Sequence, residues 1–297
     1  MRTRKNYQDV RKELLPTDMV KVAKDYDHLR ELGCKATDLS AHSRVGNLVV
    51  DAFTLGERLH TKGRMNINFY TFWRDRKEYQ KLPYVKKTLK YYGTRKISEI
   101  RKMKYIFNLY FSSIAIFKPT IAMEIYCKYK PRSVLDFTMG WGGRLVGACA
   151  LNIEKYIGVD INKHLEPGYR KMCEFLQQKS TTKIELLFQD ALTVDYSQLD
   201  YDLVLTSPPY YDLEKYRYLK TKTKEEWNQE FYRPLFERTW TGLKSGHYCL
   251  NVPIEIYESI CVPMWGKALE IPLKKVQRVN SDAKNYKEFI YVWKKNR

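Results

Sequence analysis

Hydrophobic positions change their period near the middle of this chain. Between Ser133 and Tyr216, four short apolar runs each stop at a polar or glycine-containing turn. Val134-Leu135, Tyr156-Ile157, Ile184 to Phe188 and Leu203 to Leu205 read as buried parallel strands. Leu165 to Gln178 lies between them with helical spacing. Strand and helix alternating in this way predict a doubly wound, Rossmann-like α/β sheet. Farther on, Glu225 to Trp240 predicts a helix with Thr223 as its N-cap and Trp227, Phe231, Leu235 and Phe236 facing the sheet. Tyr248 to Val252 and Glu288 to Trp293 predict two more strands.

The first part of the chain has a different pattern. Val10, Leu14, Met19, Val20, Val22, Leu29 and Leu32 form an apolar stripe, read as one or two amphipathic helices split at Pro16. Val45, Leu48 to Val50, Phe53, Leu55 and Leu59 predict a further helix from about Ser43. Ile106 to Tyr126 reads as an apolar helix broken near Pro119. It joins a basic, mainly helical region, 1–110, to the sheet domain, 111–297.

In a doubly wound sheet, ligands bind at the carboxyl ends of the strands. All four polar turns fall there and line one crevice. Gly140, Gly142 and Gly143 follow the first strand, where glycine allows a tight turn and close approach of backbone to a ligand. Asp160 ends the second strand, 160 − 140 = 20 residues past the loop, a placement that suits a ribose diol. No G-x-x-x-x-G-K-[ST] sequence occurs, which argues against a phosphate-cradling P-loop. Asp190 follows the third strand and is placed to accept from an adenine amino group. Thr206-Ser207-Pro208-Pro209-Tyr210 follows the fourth. Two prolines after an apolar strand cannot continue a ladder. They fix the backbone, present carbonyl acceptors beside the Tyr210 ring, and suit a planar base with an exocyclic amine.

These residues resemble the S-adenosylmethionine-dependent amino-methyltransferases of nucleic acids, which act on N6 of adenine or N4 of cytosine. The family's glycine motif, often D-P-[FT]-x-G-x-G, matches Asp136, Thr138, Gly140 and Gly142, and its [DNS]-P-P-[YFW] tetrad matches Ser207 to Tyr210. Its Lys-Pro segment matches Phe117-Lys118-Pro119. Phe137 replaces the usual proline, and Trp141 is bulkier than the usual residue between the glycines. The resemblance covers about residues 115–297. It implies a class I methyltransferase domain with an antiparallel last strand and S-adenosylmethionine as cofactor. By residue, it implies catalytic roles for Ser207, Pro208, Pro209 and Tyr210. It implies cofactor binding by Lys118, Pro119, Asp136, Phe137, Thr138, Gly140, Gly142, Asp160, Ile161, Asp190, Ala191 and Ser207. Serine in the first tetrad position leans toward cytosine N4 over adenine N6.

Charge extends the picture to the partner. The net charge is +19 over 297 residues. Residues 1–118 hold 26 Lys+Arg and 12 Asp+Glu (+14), and 119–297 hold 27 and 22 (+5). The excess outside the sheet domain is the footprint of a polyanion binder. Its densest part, Lys62 to Lys104, has 14 basic and 3 acidic residues, interleaved with Phe69, Tyr70, Phe72, Trp73, Tyr79, Tyr84, Tyr91 and Tyr92. Several of these aromatics are expected in a core, while Lys86, Lys87, Lys90 and Arg95-Lys96 form a phosphate-facing surface. Tyr211 to Leu219 is expected to be a substrate-side loop, with Tyr211 contacting substrate. The partner read from this is DNA. RNA, or a non-catalytic nucleic-acid-binding subunit on the same fold, are the alternatives.

The six cysteines and five histidines are widely scattered, which argues against a zinc site or a disulfide framework and for buried free thiols. No metal is expected. No apolar run approaches 18 residues and no charged-then-apolar leader opens the chain, so a soluble, unsecreted protein of the cytoplasm or a nucleus-like compartment is expected.

Overall fold

The structure is a computed structural model and describes residues 2–39, 42–63, 65–93, 95–111, 114–211, 222–273 and 288–296. Its centre is a seven-stranded sheet. The strands are β1 (Ser133–Asp136), β2 (Lys155–Val159), β3 (Lys183–Leu187), β4 (Leu203–Thr206), β5 (Gly246–Leu250), β6 (Leu269–Pro272) and β7 (Phe289–Lys295). Their order is β3-β2-β1-β4-β5-β7-β6. The first five run parallel, while β7 is antiparallel to both β5 and β6. This is the doubly wound, Rossmann-like sheet with an antiparallel last strand that the sequence predicts. The strand order reverses between β1 and β4, so the crevice opens at their carboxyl ends.

The strand residues sort by parity onto the two faces. Val134, Leu203, Leu205, Cys249, Ile290 and Val292 belong to one apolar cluster, and Leu135, Val204, Tyr248, Leu250, Tyr291 and Trp293 to the other. That alternation is the period-2 geometry of a strand buried on both sides.

The α-helices, in chain order, are α1 (Arg2–Leu14), α2 (Met19–Leu32), α3 (Asn47–Arg58), α4 (Phe69–Arg74), α5 (Arg76–Tyr79), α6 (Pro83–Gly93), α7 (Glu99–Ile106), α8 (Pro119–Tyr129), α9 (Gly143–Ala150), α10 (Glu166–Gln177), α11 (Lys224–Trp227), α12 (Arg233–Gly242), α13 (Ile254–Ile256) and α14 (Val262–Trp265). Val22, Tyr26 and Leu29 of α2 and Val49 and Val50 of α3 share one core with α8, α9, α10 and the sheet. Packing therefore crosses the boundary expected at residue 110. A separate cluster joins Val10, Leu55, Leu59, Phe69, Phe72, Trp73, Val85, Met103, Ile106, Phe107 and Phe111. The helical region thus has a core of its own, and α3 contributes to both.

Three expectations change. Pro119 does not break a helix but starts one: α7 runs into a π-turn at Phe107–Phe111, and Pro119 opens α8, where its missing N–H costs nothing. The helix expected over 225–240 carries a π-turn at Asn228–Tyr232, just before Pro234. Pro234 donates no hydrogen bond and crowds the preceding turn, so the Arg233 N–H reaches back to the Asn228 carbonyl instead. Finally, Cys34 and Cys127, 93 positions apart, form a disulfide that ties the 3₁₀ turn Gly33–Asp38 to α8. The other four cysteines are free, and Cys149, Cys249 and Cys261 are buried.

Candidate active site

The glycine loop is held from every side before any ligand arrives. The Met139 N–H donates to the Val159 carbonyl at 2.9 Å, and the Gly140 N–H to Asp160 Oδ2 at 2.9 Å. The Tyr169 hydroxyl reaches the Gly140 carbonyl at 3.0 Å, and the buried Thr54 hydroxyl donates to the Trp141 carbonyl at 3.1 Å. Thr54 lies on α3, so a helix of the N-terminal region supports this loop directly. Two glycines are required for different reasons. Gly140 has φ +55°, and a Cβ there would meet only the Thr138 carbonyl oxygen, 3.9 Å away. The backbone is therefore open toward the crevice. At Gly143 a Cβ would lie 1.8 Å from the Phe117 carbonyl oxygen. That close approach brings the Phe117-Lys118-Pro119 segment against the start of α9.

Asp160 sits at the end of β2 with both oxygens in use: Oδ2 accepts from Gly140, and Oδ1 from the Asn162 N–H at 2.8 Å. The residue is half-buried, and its carboxyl is the more enclosed part. Burial pushes it up to about 6, against the lowering effect of its two N–H donors. Ile161, next to it, is 40% exposed. Asp190 Oδ1 accepts from the Leu192 N–H at 2.9 Å and turns the chain after β3, with Ala191 buried behind it.

Asp136 corrects a sequence expectation. It is completely buried and lies beneath the crevice, not on its wall. Its Oδ2 accepts from Arg144 Nε and from the Tyr156 hydroxyl, both at 2.6 Å, and its Oδ1 from the Thr206 hydroxyl at 2.8 Å. Arg144 donates further to the Thr138 carbonyl at 2.6 Å, and the Thr138 and Thr206 hydroxyls meet at 2.6 Å. Burial disfavours the Arg144 charge, but the Asp136 carboxylate outweighs it and holds the guanidinium protonated. One buried ion pair thus ties together β1, β2, β4 and α9. Phe137 is likewise fully buried and packs in the core, and Gly142 and Pro119 are buried too. Lys118 Nζ donates to the Ser43 carbonyl at 2.9 Å.

Ser207 to Tyr210 leave β4 at the crevice. Ser207 and Tyr210 are both half-buried. The Tyr210 hydroxyl donates to Asn251 Oδ1 at 2.8 Å, and the Ser207 hydroxyl reaches the same oxygen at 3.2 Å. Asn251 follows β5, is 4% exposed, and is fixed by its own Nδ2 donating to the Phe289 carbonyl at 3.0 Å. The two hydroxyls also lie 3.3 Å apart, with either able to donate to the other. In the arrangement that sends both protons to Asn251, both oxygens keep lone pairs for a donor. Behind the prolines, the fully buried Tyr232 donates to the Pro209 carbonyl at 2.5 Å and accepts the Tyr211 N–H at 3.1 Å. Among the described residues, the Pro208 carbonyl has no such donor. The π-turn before Pro234 includes Tyr232.

Tyr211, expected on the substrate, is instead 9% exposed, with φ +49° and its hydroxyl donating to Asn228 Oδ1 at 3.1 Å. Its backbone turns the ring inward against Tyr232. The rest of the expected substrate-side loop, 212–219, lies outside the described residues. Lys86, Lys87 and Lys90 are exposed on α6, which packs against α7 in the helical cluster. Sequence reading missed Asn251, Tyr232, Arg144 and Thr54. Among the described residues, no group of three or more His, Cys, Asp or Glu is arranged to hold a metal ion, and no helix is long and apolar enough to cross a membrane.

No protein-family model matches the chain, and no curated protein matches it. Among solved structures it is similar to TrmN from Thermus thermophilus, at 16% identity and a TM-score of 0.42 over 60% of this chain and 49% of that one. It is similar to TehB from Haemophilus influenzae, at 13% identity and 0.40 over 64% and 66%. A candidate RNA methyltransferase from Pyrococcus horikoshii matches at 16% identity and 0.40 over 60% and 81%. The aligned part thus spans about half the length of TrmN.

Proposed function

We propose that the chain transfers a methyl group from S-adenosylmethionine to the exocyclic amine of a base in DNA, cytosine N4 ahead of adenine N6. The observation that carries this reading is the orientation of Ser207 and Tyr210 by Asn251 at the end of β4. An exocyclic amine is a poor nucleophile because its lone pair is delocalised into the ring. Ser207 Oγ, with its own proton given to Asn251 or to the Tyr210 oxygen, accepts one amine N–H, and the Pro208 carbonyl accepts the other. Held by two acceptors, the nitrogen would pyramidalise with its lone pair toward the methyl donor. On methylation it would carry one proton too many, which would leave to solvent from the side of the Ser207 and Pro208 acceptors. Tyr210 offers its ring face to the base.

The cofactor's ribose, adenine and methionine ends fit the residues present. Asp160 is a carboxylate raised to about 6 by burial, with only two backbone donors among the described residues, so ribose hydroxyls would supply what it lacks. Exposed Ile161 gives the adenine an apolar wall, and the opening above Gly140 leaves room for the methionine end. When bound, the cofactor supplies a methyl group on a positively charged sulfur, an intrinsically good leaving group. The protein's share is then positioning and electrostatics. In a duplex, the target base would have to leave the stack.

The test is incubation of DNA and of RNA with the protein and isotope-labelled S-adenosylmethionine, followed by mass spectrometry of the nucleosides. N4-methyldeoxycytidine or N6-methyldeoxyadenosine carrying the label supports the proposal. Labelled ribonucleosides alone would move the substrate to RNA. Cofactor binding with no labelled nucleoside from either would make the chain a binding subunit.

A further inference from the structure

We propose that the tyrosine-bearing face of α6 and α7 is a platform for unpaired bases, so that the chain takes hold of its nucleic acid as a single strand. This rests on the reading of a nucleic-acid substrate given above and names the form in which that substrate is bound.

The platform is an exposed surface with no counterpart elsewhere on the described chain. The exposed large apolar side chains include four tyrosines, and all four lie between residues 84 and 110: Tyr84 (42% exposed), Tyr91 (65%), Tyr105 (44%) and Tyr110 (39%). The aromatics that stabilise this region are different residues, since Phe69, Phe72 and Trp73 are buried at 0%, 0% and 5%. Packing therefore does not account for the four on the outside, and large exposed apolar area generally marks a binding surface.

The rings adjoin one another. Tyr84, Thr88 and Tyr91 are spaced i, i+4, i+7 and share one face of α6. Tyr84 lies 4.8 Å from Tyr110, whose hydroxyl meets that of Thr88 at 2.8 Å. Tyr91 contacts Tyr92 at 5.2 Å, and Tyr92 stacks on Tyr105 at 5.6 Å with 17° between planes. The Arg95 guanidinium lies 5.2 Å above Tyr91 and 5.0 Å above Tyr92.

Cations border the rings. At about 100° per residue, Lys86, Lys90 and Lys87 fall in one arc of about 100° beside Tyr91, and all three are exposed. The acids of the stretch do not offset them. Asp75 pairs with Arg74, Glu78 with Lys81, and Glu99 with Arg76. Lysines alone would serve a duplex, because phosphates are all they need. Tyrosine faces add nothing on a duplex, whose base faces are already covered. They gain contact only from bases that are unstacked. A single strand would also arrive at the Ser207 site without the cost of flipping a base.

The test is fluorescence anisotropy with the full chain and a labelled oligonucleotide of mixed sequence, as single-stranded DNA, as single-stranded RNA and as the DNA duplex. At equal salt the single strands should bind at least about tenfold more tightly than the duplex. Tyr91→Ala with Tyr105→Ala should weaken single-strand binding by about tenfold or more and leave the salt slope unchanged, since no charge is lost. Tyr91→Phe with Tyr105→Phe keeps the ring faces and should bind like the parent. Replacing Lys86, Lys87 and Lys90 with Gln should instead flatten the salt slope, by up to about three units. Melting temperatures equal to the parent's show that the variants fold. Duplex bound as tightly as single strand, an alanine pair without effect, or no binding of any nucleic acid would each overturn the platform, the last pointing to a protein partner. Calorimetry with S-adenosylmethionine is run separately. Its failure would remove the methyl-transfer reading while leaving the oligonucleotide result standing.

Discussion

The Tyr210 hydroxyl and Asn251 Oδ1 are 2.8 Å apart, and Ser207 shares that oxygen at 3.2 Å. Asn251 thus competes with the 3.3 Å Ser207–Tyr210 contact for the two hydroxyl protons, and under the proposed mechanism this choice decides whether Ser207 would present a lone pair or a proton to an incoming amine. Asn251→Ala releases both hydroxyls. The methylation rate should fall by about tenfold or more, the loss of one oriented hydrogen bond in a catalytic site, while the KM for S-adenosylmethionine stays the same. Because Asn251 acts through Ser207, the double variant with Ser207→Ala should lose less than the product of the two single losses. A wild-type rate for Asn251→Ala, or fully multiplicative losses, would remove Asn251 from the mechanism.

Asp136 and Arg144 form an ion pair 4% exposed on one side and 0% on the other. Asp136→Asn keeps the shape and strands a buried guanidinium. Removing one member of such a pair typically costs about 3–5 kcal/mol. In a domain of this size that corresponds to a fall of roughly 10 °C in melting temperature. Asp136→Leu together with Arg144→Met removes both charges and should recover much of the loss, since an apolar pair of similar volume is often neutral. Calorimetric melting of the three proteins is the measurement. If Asp136→Asn melts with the parent, the pair does not hold the strand ends together.

Particular residues explain how far sequence could reach. The strands were legible because their runs are buried on both faces, and the placing of Asp160 and Ser207 to Tyr210 follows once the sheet is parallel. The inward turn of Asp136 was not legible, because it depends on Tyr156 and Thr206, 20 and 70 residues away, converging on one carboxylate. A hint existed. Arg144 opens a helix whose other residues are apolar, and a cation at a helix N-terminus meets the wrong end of the dipole unless an acid faces it. Asn251 also carried a signal: it is a lone polar residue in Cys249-Leu250-Asn251-Val252, at the same end of β5 as Ser207 of β4. The Cys34–Cys127 pair had none, since it depends on how the 3₁₀ turn Gly33–Asp38 and α8 meet.

That disulfide is directly checkable. Alkylation of the unreduced, denatured chain should label four cysteines, and six after reduction, as read by intact mass. A cross-link closing a loop of about 90 residues stabilises by roughly 4–5 kcal/mol in the chain-entropy account. Reductant, or Cys34→Ser with Cys127→Ser, should therefore lower the melting temperature clearly. Six labelled cysteines without reduction would show that the bridge does not form.

The proposed ribose contact at Asp160 would make cofactor binding depend on pH. Burial raises its carboxyl from the ordinary 3.8 to about 6. The folded chain therefore holds this proton more tightly than the unfolded chain does. The group's contribution to stability is fully present below about pH 4 and is lost as pH rises through 6. Ligand binding has the opposite sign. Ribose hydroxyls donate to the carboxylate and favour its charged form, so affinity for S-adenosylmethionine should be highest above pH 6. It should fall by up to about tenfold per pH unit below that. Titration calorimetry at pH 5, 6, 7 and 8 reads the profile. Asp160→Ala should bind about tenfold or more weakly at pH 7, for the loss of a charged hydrogen-bond partner. Asp160→Asn, with nothing to titrate, should flatten the profile between pH 5 and 7. Affinity that stays level in the parent, or rises as pH falls, would place the ribose away from Asp160.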